Sequence, residues 1–206
     1  MVQVAQPRAA PQPALRLRHS ARSPHPEFTV ARSAPFRQIR VIRRPGDPRR
    51  GLLLAGGYAF PCALGRGGVS ADKREGDGAS PRATLRPLRA FYRADAGLRP
   101  RSGLRLDPIR QGDGWCDAPG DRNYNRPVRL PYPASCESMT RPDGLYDIVV
   151  DLDWNRRPAI GGRGSAIFMH VARPGFAPTE GCVALRRADL LRILPRLSAE
   201  TRIVIT

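Results

Sequence analysis

Short runs of branched and aromatic residues, interrupted every few positions by Gly, Pro or Asp, set the pattern of this chain. Residues 38–43, 51–55, 58–64, 84–93, 145–152, 165–171 and 202–206 each carry enough Val, Ile, Leu, Phe or Tyr between breakers to read as strands. Gly56-Gly57 splits the stretch 52–64, which therefore reads as a hairpin. One segment has the other period: in 187–197, Leu190, Leu191 and Leu194 recur at helical spacing, and Pro195 stands near the end. That leucine stripe reads as a core-facing side. The stretch 98–139 is rich in Pro, Asp and Asn and shows no strand pattern, so it reads as a long inserted loop region. Many short strands with one or two helices predict a mainly β domain, a sandwich or a barrel-like sheet.

Composition adds a boundary. Residues 1–37 are dominated by Ala, Pro, Arg and Ser, show no sustained period, and contain Glu27 as their one acid. They read as a disordered extension ahead of a domain over 38–206. The net charge of +17 makes a polyanion such as nucleic acid a legitimate rival partner. Its distribution disfavours that partner, because the arginines are scattered rather than focused on one element, and aromatic residues are not interleaved with them as base-stacking requires. Lys73 is the single lysine among the 35 basic residues, which points to coding bias rather than to selection for phosphate. The longest apolar stretch, 51–61, contains the Gly-Gly turn and is far too short to span a bilayer. Residues 1–30 lack the apolar core of a secretory signal.

The candidate chemistry lies in 164–185. His170, the one histidine beyond residue 25, stands twelve positions before Cys182, which follows Gly181. An imidazole beside a thiol can take its proton and stabilise the thiolate, so the pair fits nucleophilic catalysis. His170 ends an apolar run and would sit on a rigid strand. Pro174, Gly175, Pro178 and Gly181 mark a loop that could return Cys182 to its side. Backbone amides around Gly181 and Cys182 could face a developing oxyanion. Glu180 is a weaker candidate, because a carboxylate near the thiol raises its pKa unless it orients the imidazole. Without further context, a cysteine in a turn is commonly a small buried hydrophobe and a strand-end histidine a core residue. The chain has no spaced cluster of His and Cys to hold a metal, and the chemistry needs no cofactor.

His170, the loop, and Thr179-Glu-Gly-Cys-Val183 resemble the active-site signature of the L,D-transpeptidase (YkuD-type) catalytic domain. The resemblance implies Cys182 as nucleophile, His170 as its acid/base partner, and Thr179 and Gly181 as motif positions. Val171, Glu180 and Ala184 depart from the usual glycine, histidine and polar or basic residue of that signature. Weaker similarity runs upstream through 60–69, 73–84, 114–117, 123–126 and 146–150, as in a shorter Gram-negative subgroup.

The implied fold is the mixed β-sandwich of that domain. The implied reaction is acyl transfer between peptidoglycan stem peptides: Cys182 attacks the carbonyl before a terminal D-residue, forms a thioester, and passes the acyl group to an amine or, in trimming, to water. The implied place is the periplasm or cell envelope. Arg163 and Arg173 flank the site and are candidates for a substrate carboxylate, as Asp117, Asn125 and Arg126 are for other contacts. Of the remaining cysteines, Cys62 reads as core, whereas Cys116 and Cys136 could form a disulfide in an oxidising compartment, a matter for geometry.

Overall fold

The computed structural model describes residues 34–206; most of the extension predicted over 1–37 therefore lies outside the described residues. Phe36, inside that extension, is buried in the core, and its N–H donates to Arg196 O at 2.8 Å.

In chain order the strands are β1 Gln38–Arg44, β2 Asp47–Ala55, β3 Tyr58–Ala63, β4 Val69–Ser70, β5 Ser80–Pro81, β6 Thr84–Leu85 and β7 Pro87–Arg93. There follow β8 Leu106–Ile109, β9 Asp113–Cys116, β10 Arg126–Arg129, β11 Cys136–Ser138, β12 Ile148–Leu152, β13 Phe168–Val171, β14 Val183–Leu185 and β15 Arg202–Ile205. The α-helix α1 covers Arg187–Ile193 and continues into the 3-10 turn Leu194–Arg196. Ten strands form one sheet in the order β6-β15-β1-β2-β3-β14-β13-β12-β7-β8. The expected strand over 84–93 is broken at Arg86 into β6 and β7, which lie near opposite ends of that order. A single residue joins them, so the sheet must curl until its two ends approach each other. The hairpin β2–β3 turns at Gly56-Gly57, both at positive φ, as its sequence predicts.

The curl encloses the main core. Ile39, Val41, Leu53, Ile148, Val150, Leu152, Met169, Val183 and Leu185 point inward and meet Leu190, Ile193 and Leu194 of the helical segment. The two-residue period decides what faces the other way. Val149, Phe168 and Cys182 point outward, where Trp115, Met139, Leu145 and Tyr146 cover them as a second cluster. The central strands are thus buried on both faces, which explains why 148–150 is a continuous apolar run rather than an alternation.

Trp115 and Met139 of this cover come from the stretch 98–139, and here the expectation of a strand-poor loop is corrected. This stretch contains β8 at the edge of the main sheet and a separate three-stranded sheet, β10-β9-β11. Its strands are three or four residues long and include Pro108 and Pro127. Both prolines are on edge strands, where the missing N–H costs no ladder bond. No helix among the described residues is long and apolar enough to cross a membrane.

Trp115 carries the contact between the two sheets: it is 1% exposed, meets Phe168 edge-on with ring centroids 4.8 Å apart, and donates its Nε1–H to Asn125 Oδ1 at 3.1 Å. Trp115→Ala should lower unfolding free energy by about 3–5 kcal/mol in urea titration; a loss under about 1 kcal/mol would mean that the small sheet is not part of the cooperative core.

Candidate active site

Strands β13 and β14 lie side by side and run parallel, with Met169 opposite Val183 and His170 opposite Ala184. In parallel register, residues directly opposite share a face, so Phe168, His170, Cys182 and Ala184 all project outward while Met169 and Val183 enter the main core. The crossover over 172–182 returns the chain to this register. It is held by Arg50, whose Nη2 donates to Gly175 O at 2.8 Å.

The turn before the cysteine is clamped from both sides. Thr179 Oγ1 accepts from Gly181 N at 3.2 Å and donates to Cys182 O at 2.7 Å. Thr179 is itself bridged to Gly65: its N–H donates to Leu64 O and its carbonyl accepts from Arg66 N. Gly181 has φ +133°, and a Cβ there would stand 2.7 Å from Ala79 O. A side chain is excluded by backbone, which explains the glycine on physical grounds.

Cys182 Sγ accepts from Phe168 N at 3.4 Å, and its S–H donates to Ala166 O at 3.2 Å. Ala166 holds an unusual positive φ of 51°, with its N–H donated to Asn125 Oδ1 at 3.0 Å. Asn125, expected as a possible substrate contact, is instead fully buried and fully used. Its Nδ2 donates to the carbonyls of Trp154 and Asn155 at 3.0 and 2.8 Å. It holds Ala166, the residue whose carbonyl receives the thiol hydrogen.

His170 Nδ1 lies 2.8 Å from Val171 O. A carbonyl only accepts, so Nδ1 carries the hydrogen and Nε2 is left as the free acceptor. The ring meets Tyr146 edge-on at 5.4 Å. Burial pushes the imidazole pKa down to about 4 and the Cys182 thiol up to about 12, the latter against a small opposing effect of Phe168 N–H. Loss of hydration disfavours both charged forms. The resting pair at neutral pH is therefore thiol and neutral imidazole.

Both side chains line a cleft of about 410 Å³, with Glu75, Asp117, Glu137, Arg141, Tyr146 and Arg173 among the other walls. Glu180 stands at the rim with its side chain 74% exposed, and pairs with Arg66 at 2.8 Å, so it does not orient His170. The imidazole takes its orientation from a backbone carbonyl. Within the cleft Glu137 pairs with Arg141 at 2.9 Å, which leaves the Glu75 and Asp117 carboxylates and the Arg173 guanidinium as its other charged walls. Burial raises the pKa of Glu137, opposed by Tyr146 and Arg141 beside it.

Arg173 lines the cleft, but Arg163 does not; it is exposed, and its carbonyl accepts from Trp154 Nε1. Arg126 lines a different hollow. The Gly181 amide is already committed to Thr179, so of the two amides expected to face an oxyanion, Cys182 N–H is the one without a protein acceptor among the described residues. Tyr146, Glu137, Arg141 and Glu75 are cleft residues that motif reading did not single out. Tyr146 lies in the turn just before β12, so its place in the outward cluster comes from how that turn folds over the sheet and not from the period of the strand. Among the described residues there is no group of three or more His, Cys, Asp and Glu side chains able to hold a metal ion.

Comparison with known proteins bears on this geometry. The family model for the YkuD L,D-transpeptidase catalytic domain matches residues 49–205. No curated protein matches the chain. Among solved structures, L,D-transpeptidase 1 of Mycobacterium tuberculosis is similar at 11% identity and a TM-score of 0.35, over 82% of this chain and 61% of the other. Since the family model spans most of the sequence, from β2 to the last strand, the chain belongs to the YkuD family of L,D-transpeptidase catalytic domains.

Proposed function

We propose that this protein is a cysteine acyltransferase of peptidoglycan stem peptides, with Cys182 as nucleophile and His170 as general base and then acid. The observation that carries the reading is the placement of both side chains on one face of adjacent parallel strands, opening on one cleft.

In the acylation step the Cys182 S–H swings from Ala166 O to His170 Nε2, and the sulfur attacks the carbonyl preceding the terminal D-residue. The oxyanion that forms is met by the Cys182 N–H. Collapse of the tetrahedral adduct breaks the peptide bond, and the His170 proton goes to the departing amine, leaving a thioester on Cys182. An acceptor amine then attacks the thioester carbonyl and gives a proton to His170, which returns it to the sulfur. Because the resting pair is neutral, the charge separation of thiolate and imidazolium arises only as the bond forms. Arg173, which lines the cleft, would meet a substrate carboxylate in this scheme.

The Glu75 and Asp117 carboxylates at the cleft wall suit an amine-bearing acceptor. Water in place of the amine gives trimming of the same stem by the same thiol. A cell-wall substrate fits an envelope location.

Product chromatography of muropeptides should show no cross-linked or trimmed stems with Cys182→Ala, and a rate reduced about 10²–10⁴-fold with His170→Asn. Unchanged processing by Cys182→Ala would exclude the thiol mechanism. The pH profile carries a second prediction. His170 is depressed from 6.5 to about 4, so it stays a neutral base as pH falls below 6.5, and kcat/KM should hold until pH approaches that value. Alkylation of Cys182 by iodoacetamide should accelerate about tenfold per pH unit from pH 7 to 9 as thiolate forms. A flat alkylation profile would indicate a preformed ion pair instead. Thr179→Val should lose both turn hydrogen bonds, costing about 1–2 kcal/mol in denaturant titration together with most turnover, while Thr179→Ser keeps both; equal behaviour of the two variants would remove the clamp from the account.

A further inference from the structure

Cys116 and Cys136 take no part in the acyl-transfer scheme, yet they are placed with some care. Cys116 closes β9 and Cys136 opens β11, and the antiparallel register sets their Cα atoms directly opposite each other. The backbone hydrogen bonds flanking this pair run from Asp117 N to Ser135 O at 3.2 Å and from Met139 N to Asp113 O at 2.9 Å. These fall on the pairs 117/135 and 113/139, so the alternation makes 116/136 a pair without mutual hydrogen bonds. Such pairs bring the facing Cα atoms to about 4.5 Å, inside the span of about 4.4–6.8 Å that a disulfide bridges. Both thiols are free in this structure. Burial pushes the Cys136 thiol up to about 11, and Cys116 beside it acts in the same direction.

We propose that Cys116 and Cys136 are a site of reversible disulfide formation, oxidised by exchange with a small disulfide of the glutathione class. Cys136 is partly exposed and Cys116 fully buried, which sets the order of events. The Cys136 thiolate attacks one sulfur of oxidised glutathione, forming a mixed disulfide and expelling a glutathione thiolate. Cys116 then attacks the Cys136 sulfur and expels the second glutathione thiolate, which takes the Cys116 proton as it leaves. Two protein thiols and one glutathione disulfide become one protein disulfide and two molecules of reduced glutathione.

The other two cysteines are not placed for this exchange: Cys62 lies in the main core on β3, and Cys182 is on the outward face of the main sheet beside β13. The bond would close the loop 116–136. That loop carries Asn125, which accepts from the N–H of Ala166, the residue whose carbonyl receives the Cys182 thiol hydrogen, and Asp117 at the cleft wall. Oxidation would therefore tie down the roof of the cleft without consuming the nucleophile. This inference does not rest on the acyltransferase reading.

The test uses the full chain, equilibrated with either oxidised or reduced glutathione, capped with N-ethylmaleimide, and digested without reduction for mass spectrometry. The expected result is one linked peptide pair joining Cys116 to Cys136, about 2 Da below the sum of its reduced parts, with Cys182 singly capped. The oxidised form should also unfold at a higher temperature than the reduced form, and Cys136→Ser should abolish that shift. Recovery of Cys116 and Cys136 as separately capped peptides after oxidation, a glutathione adduct that persists on Cys136, or a linkage to Cys182 would each overturn the proposal.

Discussion

The arrangement of this protein depends on the register between two short parallel strands. With Met169 opposite Val183, the two-residue period sends Met169, Val183 and Leu185 into the main core and leaves Phe168, His170 and Cys182 on the other face. A slip of one residue would exchange these sets, burying the imidazole among aliphatic side chains and exposing a valine and a methionine. The apolar content of both cores therefore fixes the chemistry as well as the fold. Trp115 of the small sheet, with Met139, Leu145 and Tyr146 from the segment that follows it, serves the same constraint, since without them the outward face would be an apolar surface in water.

That burial has a consequence for reactivity. A thiol and an imidazole excluded from water are both driven to their neutral forms, and the surroundings add little to reverse it: Phe168 N–H is a single weak donor to the sulfur, and no carboxylate orients the histidine. What the site offers instead is preorganisation. The Thr179 clamp, the crowded Gly181 and the Asn125-supported Ala166 carbonyl hold the sulfur in one place. The Lys73 ammonium, bound to Asp77 Oδ1 and Arg74 O, helps to hold the loop 65–80 that backs the turn.

Much of this was legible in the sequence, and the rest was hidden for identifiable reasons. The hairpin at Gly56-Gly57, the helix from Arg187 and the strand that carries His170 follow from local periodicity and breakers, although that strand begins at Phe168 rather than at Ser165. The small sheet does not, because strands of three or four residues such as Cys136–Ser138 are too short to display an alternation, and Pro127 within one of them argues against a strand until its edge position is known. The break of 84–93 at Arg86 is a matter of sheet closure, which no local window contains. At the site, the motif brought out Cys182 and His170, and spacing alone assigned Arg163 and Arg173 to the same role. Their separation into one exposed and one cleft-lining residue depends on where the loops travel. Asn125 is a candidate substrate contact by sequence, but its burial and the use of both its amide atoms make it a scaffold residue.

The account's central claim is that Cys182 is an open, acylable nucleophile served by His170. Intact-mass analysis after exposure to a carbapenem tests this most directly, since a strained acyl donor traps the first covalent step without requiring an acceptor. The native chain should gain the mass of one opened carbapenem located on Cys182, and Cys182→Ala should gain nothing. A native chain that stays unmodified where another member of the family reacts, or an adduct carried equally by Cys182→Ala, would contradict it.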